Sequence, residues 1–191
     1  VGLCKKALDV AVDKDQPEFL SVTNTLGLAY DHLKQWEKAI SYYEKSLALA
    51  EKNELPAAQA MITNNLAIVW QKKMMNPRAL DLYHQSLTLA RQVGDKQLEV
   101  SVLENLGTMA HERADYGDAL KTYSEALEKS ERFGFKPQAL SLRLNLANVF
   151  FLLGFEERAE EFLKSIEGQG IPGSFRVHAS ILRSHYALHL K

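Results

Sequence analysis

Three histidines, His178, His185 and His189, stand at spacings of seven and four near the end of the 191-residue chain. On a helix they would share a face, and neutral imidazoles one turn apart can share a zinc ion. No Glu completes a catalytic H-E-x-x-H arrangement and zinc usually wants four ligands, so the trio reads as a polar helix face and no metal is expected. His111-Glu112, with Asp115 and Asp118 beyond, offers acid-base groups. They do not recur as a paired set and no nucleophile accompanies them, so a solvated turn is the expectation. GQGIPG, residues 168–173, satisfies G-x-G-x-x-G. A dinucleotide site needs a strand before that motif, whereas a helical pattern precedes it here, which makes it a loop. No catalytic residue and no cofactor is expected; the chain reads as non-enzymatic.

What remains is a set of amides. Asn65, Asn105 and Asn145 recur at intervals of forty, and a carboxamide both donates and accepts hydrogen bonds, which matches the two groups of a peptide main chain. The competing reading is that each asparagine merely bonds the adjacent helix or solvates a groove wall.

Composition restricts the partners. With 46% hydrophobic and 25% charged residues the chain is an ordinary globular sequence, and its formal charge of -1 gives no overall positive field to collect nucleic acid or anionic lipid. The single cysteine, Cys4, cannot close an intrachain disulfide, which fits a reducing compartment, and a cytoplasmic location is expected. No apolar run approaches the roughly 18 residues of a membrane span, and the N-terminal stretch lacks the core of a signal peptide.

The interval of forty extends through the chain. Leu26-Gly27, Leu66-Ala67, Leu106-Gly107 and Leu146-Ala147 repeat, and each is followed by an alanine thirteen residues after its leucine: Ala39, Ala79, Ala119, Ala159. Tyr43, Tyr83, Tyr123 and Leu163 come four residues further on. Within a copy, Val22, Leu26, Ala29 and Leu33 make one helical stripe, and Ala39, Ile40, Tyr43 and Leu47 a second, with breaks near 34–36, 74–77, 114–118 and 154–157. Pro77 suits a first helical turn, and Gly94 and Gly134 suit left-handed C-caps. The small residues at 27, 67, 107 and 147 are expected where the two helices pack closest, with the Ala39-type positions as the facing small surface and aromatics at 30, 70 and 150 filling the space one turn on.

The pattern Leu-Gly-x-x-Tyr followed by Ala-x-x-x-Tyr resembles the tetratricopeptide repeat over residues 20–166. It has a period of forty instead of thirty-four, carries Thr23, Thr63, Leu103 and Arg143 in place of the usual first Trp, and lacks the helix-ending Pro. Such forty-residue arrays are similar to those of polarity scaffolds and bacterial regulator sensors. The resemblance implies an all-α, right-handed solenoid of stacked antiparallel helix pairs, about ten helices in one array. Residues 1–19 would hold the second helix of a preceding repeat, within 3–14. Four repeats would follow at 20–59, 60–99, 100–139 and 140–173, and a further first or capping helix at 174–191, with Ala187 continuing the small-residue series and His185 the asparagine series. Half repeats at both ends suggest a piece of a longer chain, because a repeat array needs capping.

The resemblance also implies that first helices line a concave groove. Asn24, Asn64, Asn65, Ile68, Lys72, Glu104, Asn105, Thr108, Asn145 and Asn148 are then the expected peptide-binding residues, the asparagines gripping main chain. Met61, Ile68, Leu144 and Phe151 would supply apolar pockets, while His32, Lys72 and Glu112 would tune charge. A clamp for a terminal carboxylate is not expected, because the rows that would carry its basic residues hold Asn24, Asn64, Glu104 and Leu144, and Leu28, Ile68, Thr108 and Asn148. Met74 and Met75, in the basic run 71–78, are expected at the surface. The function expected is a non-catalytic scaffold holding a peptide or protein segment, with no direct nucleic-acid or membrane partner; the alternative is a peptide-responsive sensor gating an attached effector domain.

Overall fold

A computed structural model describes residues 17–166 and 172–189. Among the described residues there are nine α-helices and no strand: α1 (Pro17–His32), α2 (Trp36–Lys52), α3 (Pro56–Lys72), α4 (Asn76–Val93), α5 (Lys96–Glu112), α6 (Tyr116–Phe133), α7 (Lys136–Leu152), α8 (Glu156–Lys164) and α9 (Gly173–His189). The helix expected at 3–14 and most of the 168–173 loop lie outside the described residues.

The turns are more regular than the sequence suggests. Positive φ occurs at Lys34, Met74, Ala114 and Gly154, and again at Glu54, Gly94 and Gly134, so two series with a period of forty are offset by twenty. Each turn closes the same way: the N–H of the next residue reaches back five positions, as in Gln35 to Tyr30 O, Leu55 to Ala50 O, Asp115 to Ala110 O and Phe155 to Phe150 O, at 2.9 Å. This bond across a left-handed residue ends a helix and satisfies its last carbonyls. Gly94 and Gly134 take the left-handed cap as expected, and Pro77 sits in the first turn of α4. Asp95 and Asp115 add side-chain caps, accepting from the N–H groups of Leu98 and Asp118.

The chain forms two compact units, Val1–Val102 and Leu103–Lys191, the division falling inside α5. In the first unit α1 packs on α2, α3 on α4, and α2 on α3. Leu26, Tyr30, Ile40, Tyr43, Ile62, Leu66 and Val69 form its buried cluster. Ser46 Oγ donates to Leu20 O at 3.0 Å and Ser86 Oγ to Ala60 O at 2.7 Å, so each second helix is tied to the backbone of its own first helix at the same offset. Glu99 is buried and held by Arg91 and Lys96, each at 3.1 Å. In the second unit α7 packs on α6, α8 and α9. Ala147, Ala159, Leu163, Ile166 and Ala179 are buried together, with Phe150, Phe162, Phe175 and Leu182 around them.

The small residues work differently from the expectation. A β-carbon at Gly27 would meet Cδ1 and Cε1 of Tyr43 at 2.6 Å, and one at Gly107 would meet the same atoms of Tyr123 at 2.6 Å. The nearest surface is therefore a tyrosine ring, not the alanine at 39 or 119. An aromatic face gains more contact than a methyl can, provided the opposing residue has no side chain. The aromatics one turn on stack across the pair, Tyr30 on Tyr42 with centroids 5.4 Å apart and Phe150 on Phe162 at 5.7 Å. Ala187 departs from its series: it is exposed, whereas Gly27, Ala67, Gly107 and Ala147 are buried, because no described second helix covers it.

Candidate functional site

First helices meet through their polar edges. In the first unit Asn65 Nδ2 on α3 donates to Asn24 Oδ1 on α1 at 3.4 Å, and two turns along the same edge Lys72 Nζ reaches both carboxylate oxygens of Asp31 at 2.9 and 2.7 Å. Both pairs are 41 residues apart. The arithmetic is that of the period: equivalent positions differ by forty, and the facing edge of the next helix is one residue further on.

The second unit repeats the device with different chemistry. Glu104 Oε1 on α5 accepts from Ser141 Oγ at 2.5 Å and from Asn145 Nδ2 at 3.5 Å, both on α7. Two turns along, Asn148 Nδ2 stands 3.2 Å from His111 Nε2, while Asn148 Oδ1 accepts from Tyr186 Oη on α9 at 2.8 Å. Since the asparagine oxygen is engaged by the tyrosine, its nitrogen donates, which makes His111 Nε2 the acceptor and puts the imidazole proton on Nδ1. Thr108 Oγ1 accepts from Tyr123 Oη at 3.1 Å.

Burial sets the ionisation of this face. Glu104 is half-buried, and desolvation holds its carboxyl above the usual glutamate range against the opposing effect of the Ser141 hydrogen bond. No ion pair to Glu104 occurs among the described contacts; Asn24, at the matching place in the first unit, is neutral. Burial likewise pushes the Tyr123 hydroxyl up to about 12, the Thr108 hydrogen bond opposing and the charges of Glu104 and Glu112 adding to the rise.

The expected site residues therefore divide. Asn24 and Asn65 come together, as do Glu104, Asn145 and Ser141, and Asn148 joins a separate cluster with His111. Asn65, Ile68, Glu104, Asn105, Thr108, Asn145 and Asn148 are all half-buried, Asn64 is buried, and Lys72 is exposed. Lys72 is not a free positive charge, because Asp31 neutralises it. His32 and Glu112 are exposed. Met61 is exposed on α3, whereas Phe151 is stacked on Tyr186 with centroids 4.6 Å apart. Met74 and Met75 are exposed as expected, Met74 to 79%.

Asp31, Ser141, His111 and Tyr186 are participants that the asparagine series did not reveal. Asp31 and Ser141 could have been found by adding one, or subtracting three, to the forty-residue offset. Tyr186 could not, since α9 meets α7 at an offset of 38 and His185, not Tyr186, continues the asparagine register. His185 instead lies edge-on to the Tyr186 ring. His178 is exposed, and the His189 side chain lies outside the described residues. Among the described residues no group of three His, Cys, Asp or Glu is placed to hold a metal ion.

The helix pairs, the recurring turn closure and the small residue under an aromatic ring define a repeat, and two tetratricopeptide repeat signatures match it, over residues 22–53 and 58–132. The chain belongs to the tetratricopeptide repeat family. Solved structures agree at the level of fold. The tetratricopeptide repeat chain is similar to BtubC from P. vanneervenii, with 22% identity and a TM-score of 0.76 over 96% of this chain and 72% of that one. It is similar to a Rap protein solved in complex with competence and sporulation factor, with 19% identity, TM-score 0.75, and 95% and 49% coverage. It also resembles the STAND protein PH0952 from Pyrococcus horikoshii, which has a tetratricopeptide repeat sensor, with 23% identity, TM-score 0.76, and 96% and 27% coverage. The chain thus spans half or less of the latter two. No curated protein matches in sequence. No helix among the described residues is long and apolar enough to cross a membrane.

Proposed function

We propose that the chain is a non-catalytic recognition module that holds an extended peptide or partner segment against the polar edges of its first helices. One observation carries the reading. Asn65 and Asn145, at equivalent places in the two units, each give one N–H to the preceding first helix through a long hydrogen bond of 3.4 or 3.5 Å. That contact orients the amide without saturating it. Each side chain keeps a carbonyl oxygen and a second N–H, the complement of a peptide main chain. Half-burial at every one of these positions gives a partly dry surface, where such bonds are worth more than in bulk water.

Neighbouring residues give selectivity. Leu28 and Met61, both 39% exposed, offer apolar contact in the first unit. In the second, Glu104 presents a half-buried carboxylate with no ion pair among the described residues, so a segment lying there is favoured if it carries a lysine, arginine or terminal ammonium. The similarity to the Rap conjugation gene regulator of the plasmid pLS20, solved in complex with the Phr* peptide, at 18% identity and a TM-score of 0.70, supports a peptide ligand. A second reading, a sensor gating an attached effector domain, is supported by the similarity to PH0952, a STAND protein with a tetratricopeptide repeat sensor.

The test is an arrayed pool of capped decapeptides probed with the wild-type chain and with the triple variant Asn65→Ala, Asn105→Ala, Asn145→Ala. We expect the wild type to retain a subset and the variant, with an unchanged helical circular dichroism spectrum, to lose that subset by about tenfold or more. Equal retention by a folded variant rejects the amide contacts.

A further inference from the structure

The turn between α3 and α4 carries chemistry that the polar edges do not use. Of the chain's four methionines, Met74 and Met75 are neighbours in this turn, 79% and 50% exposed, while Met61 on α3 is 39% exposed and Met109 inside α5 only 1%. A thioether sulfur gives up two electrons to an oxidant that can reach it. Solvent access therefore sets the order in which methionines react, and a buried sulfur waits for local opening.

The turn does not depend on its sulfur side chains. Backbone bonds hold it, from Met74 N–H to Gln71 O at 2.8 Å and from Met75 N–H to Trp70 O at 3.0 Å. Met74 is the left-handed residue, with φ of 60°, and Met75 is the N-cap of α4 but gives that helix no side-chain hydrogen bond. Other repeats place Lys34, Gln35 and Asp115 at the same two positions, with the same backbone closure. Polar side chains thus fit this backbone. Gln35, the counterpart of Met75, is close in length and uncharged polarity to methionine sulfoxide, the product of such an oxidation.

We propose that the Met74–Met75 turn is a modification site for hydroperoxides, where each sulfur takes up one oxygen while the helices stay folded. A sulfur lone pair attacks one oxygen of hydrogen peroxide and the O–O bond breaks. The proton of the transferred hydroxyl passes to the departing hydroxide, which leaves as water; the thioether loses two electrons and the peroxide gains them. The product carries two polar S=O groups where the turn had an exposed apolar pair, so a surface suited to apolar contact becomes one of hydrogen-bond acceptors. Sulfoxides are open to enzymatic reduction, which makes the change reversible.

The test exposes the wild-type chain to hydrogen peroxide and follows each methionine by peptide mass spectrometry, together with the circular dichroism spectrum and retention on a hydrophobic-interaction column. Met74 is expected to oxidise first and Met75 next, both at least about tenfold faster than Met109. At the dose that converts the pair, the helical spectrum is expected to be unchanged and retention shortened. A chain with Met74→Gln and Met75→Gln should elute like the oxidised wild type and keep its retention at that dose. Oxidation of Met109 at a rate comparable with that of Met74, loss of helical signal once the pair is converted, or unaltered retention overturns the proposal.

Discussion

A β-carbon at Gly107 would lie 2.6 Å from two ring atoms of Tyr123, so one of the two must move. Repeat two already carries Ala67 with Tyr83, and repeat four carries Ala147 with Leu163, which shows two ways of housing the methyl group. Gly107→Ala is therefore expected to destabilise by roughly 1–3 kcal/mol, the usual cost of overpacking. Tyr123→Leu in the same chain should recover part of it. A double-mutant cycle by urea unfolding measures this; strictly additive effects would contradict the ring-on-glycine contact. Glu104 gives a second residue-scale prediction. Its carboxyl binds its proton more tightly in the folded than in the unfolded chain, so the folded state is favoured at low pH and that favour is lost as pH rises through the raised value. Glu104→Gln keeps an acceptor for Ser141 and never ionises. The variant should match the wild type near pH 4 and become the more stable of the two toward neutrality, as read from unfolding midpoints across pH. A gap that narrows on going upward in pH would refute the assignment.

The element scale is governed by the turns. Left-handed backbone costs an L-residue roughly 1–2 kcal/mol, which glycine avoids. Among the described residues Gly94, Gly134 and Gly154 occupy three of the seven such positions, while Lys34, Glu54, Met74 and Ala114 occupy the rest. Ala114→Gly is expected to raise stability by about 1 kcal/mol and Gly154→Ala to lower it by a similar amount, measured by urea unfolding. Identical midpoints for all three chains would show that the turns carry no strain. Helix positions were legible in the sequence because the apolar stripes repeat at 3.6 residues and forty residues together, and Gly94 and Gly134 mark their caps directly. The turns at Lys34 and Met74 have no such mark, since their closure is made by backbone groups alone. The contact partner of Gly107 was hidden for a related reason: spacing puts both Ala119 and Tyr123 on the facing stripe, and only coordinates say which reaches across.

At the scale of the molecule, each unit builds the same edge-to-edge contact between first helices, with amides and a carboxylate held half-dry. The period made Asn65 and Asn145 visible as a series, but it could not show that each also binds its neighbour, because such contacts run between helices forty residues apart at offsets of 37 and 41. The contact with the neighbouring helix is thus observed for Asn65 and Asn145, where one N–H of each serves the fold; our proposal assigns their remaining polar atoms to a ligand. The short α8 was likewise illegible, since Ala159 and Leu163 keep the repeat pattern up to the point where the helix stops. The most direct test follows the side-chain NH2 resonances of Asn65 and Asn145 by nitrogen-15 NMR while the best peptide retained on the array is titrated in. Our account predicts that both pairs shift and saturate together with the binding isotherm. Shifts confined to second-helix residues such as Tyr42, Lys45 and Leu82, with both amides unmoved at saturation, would contradict it.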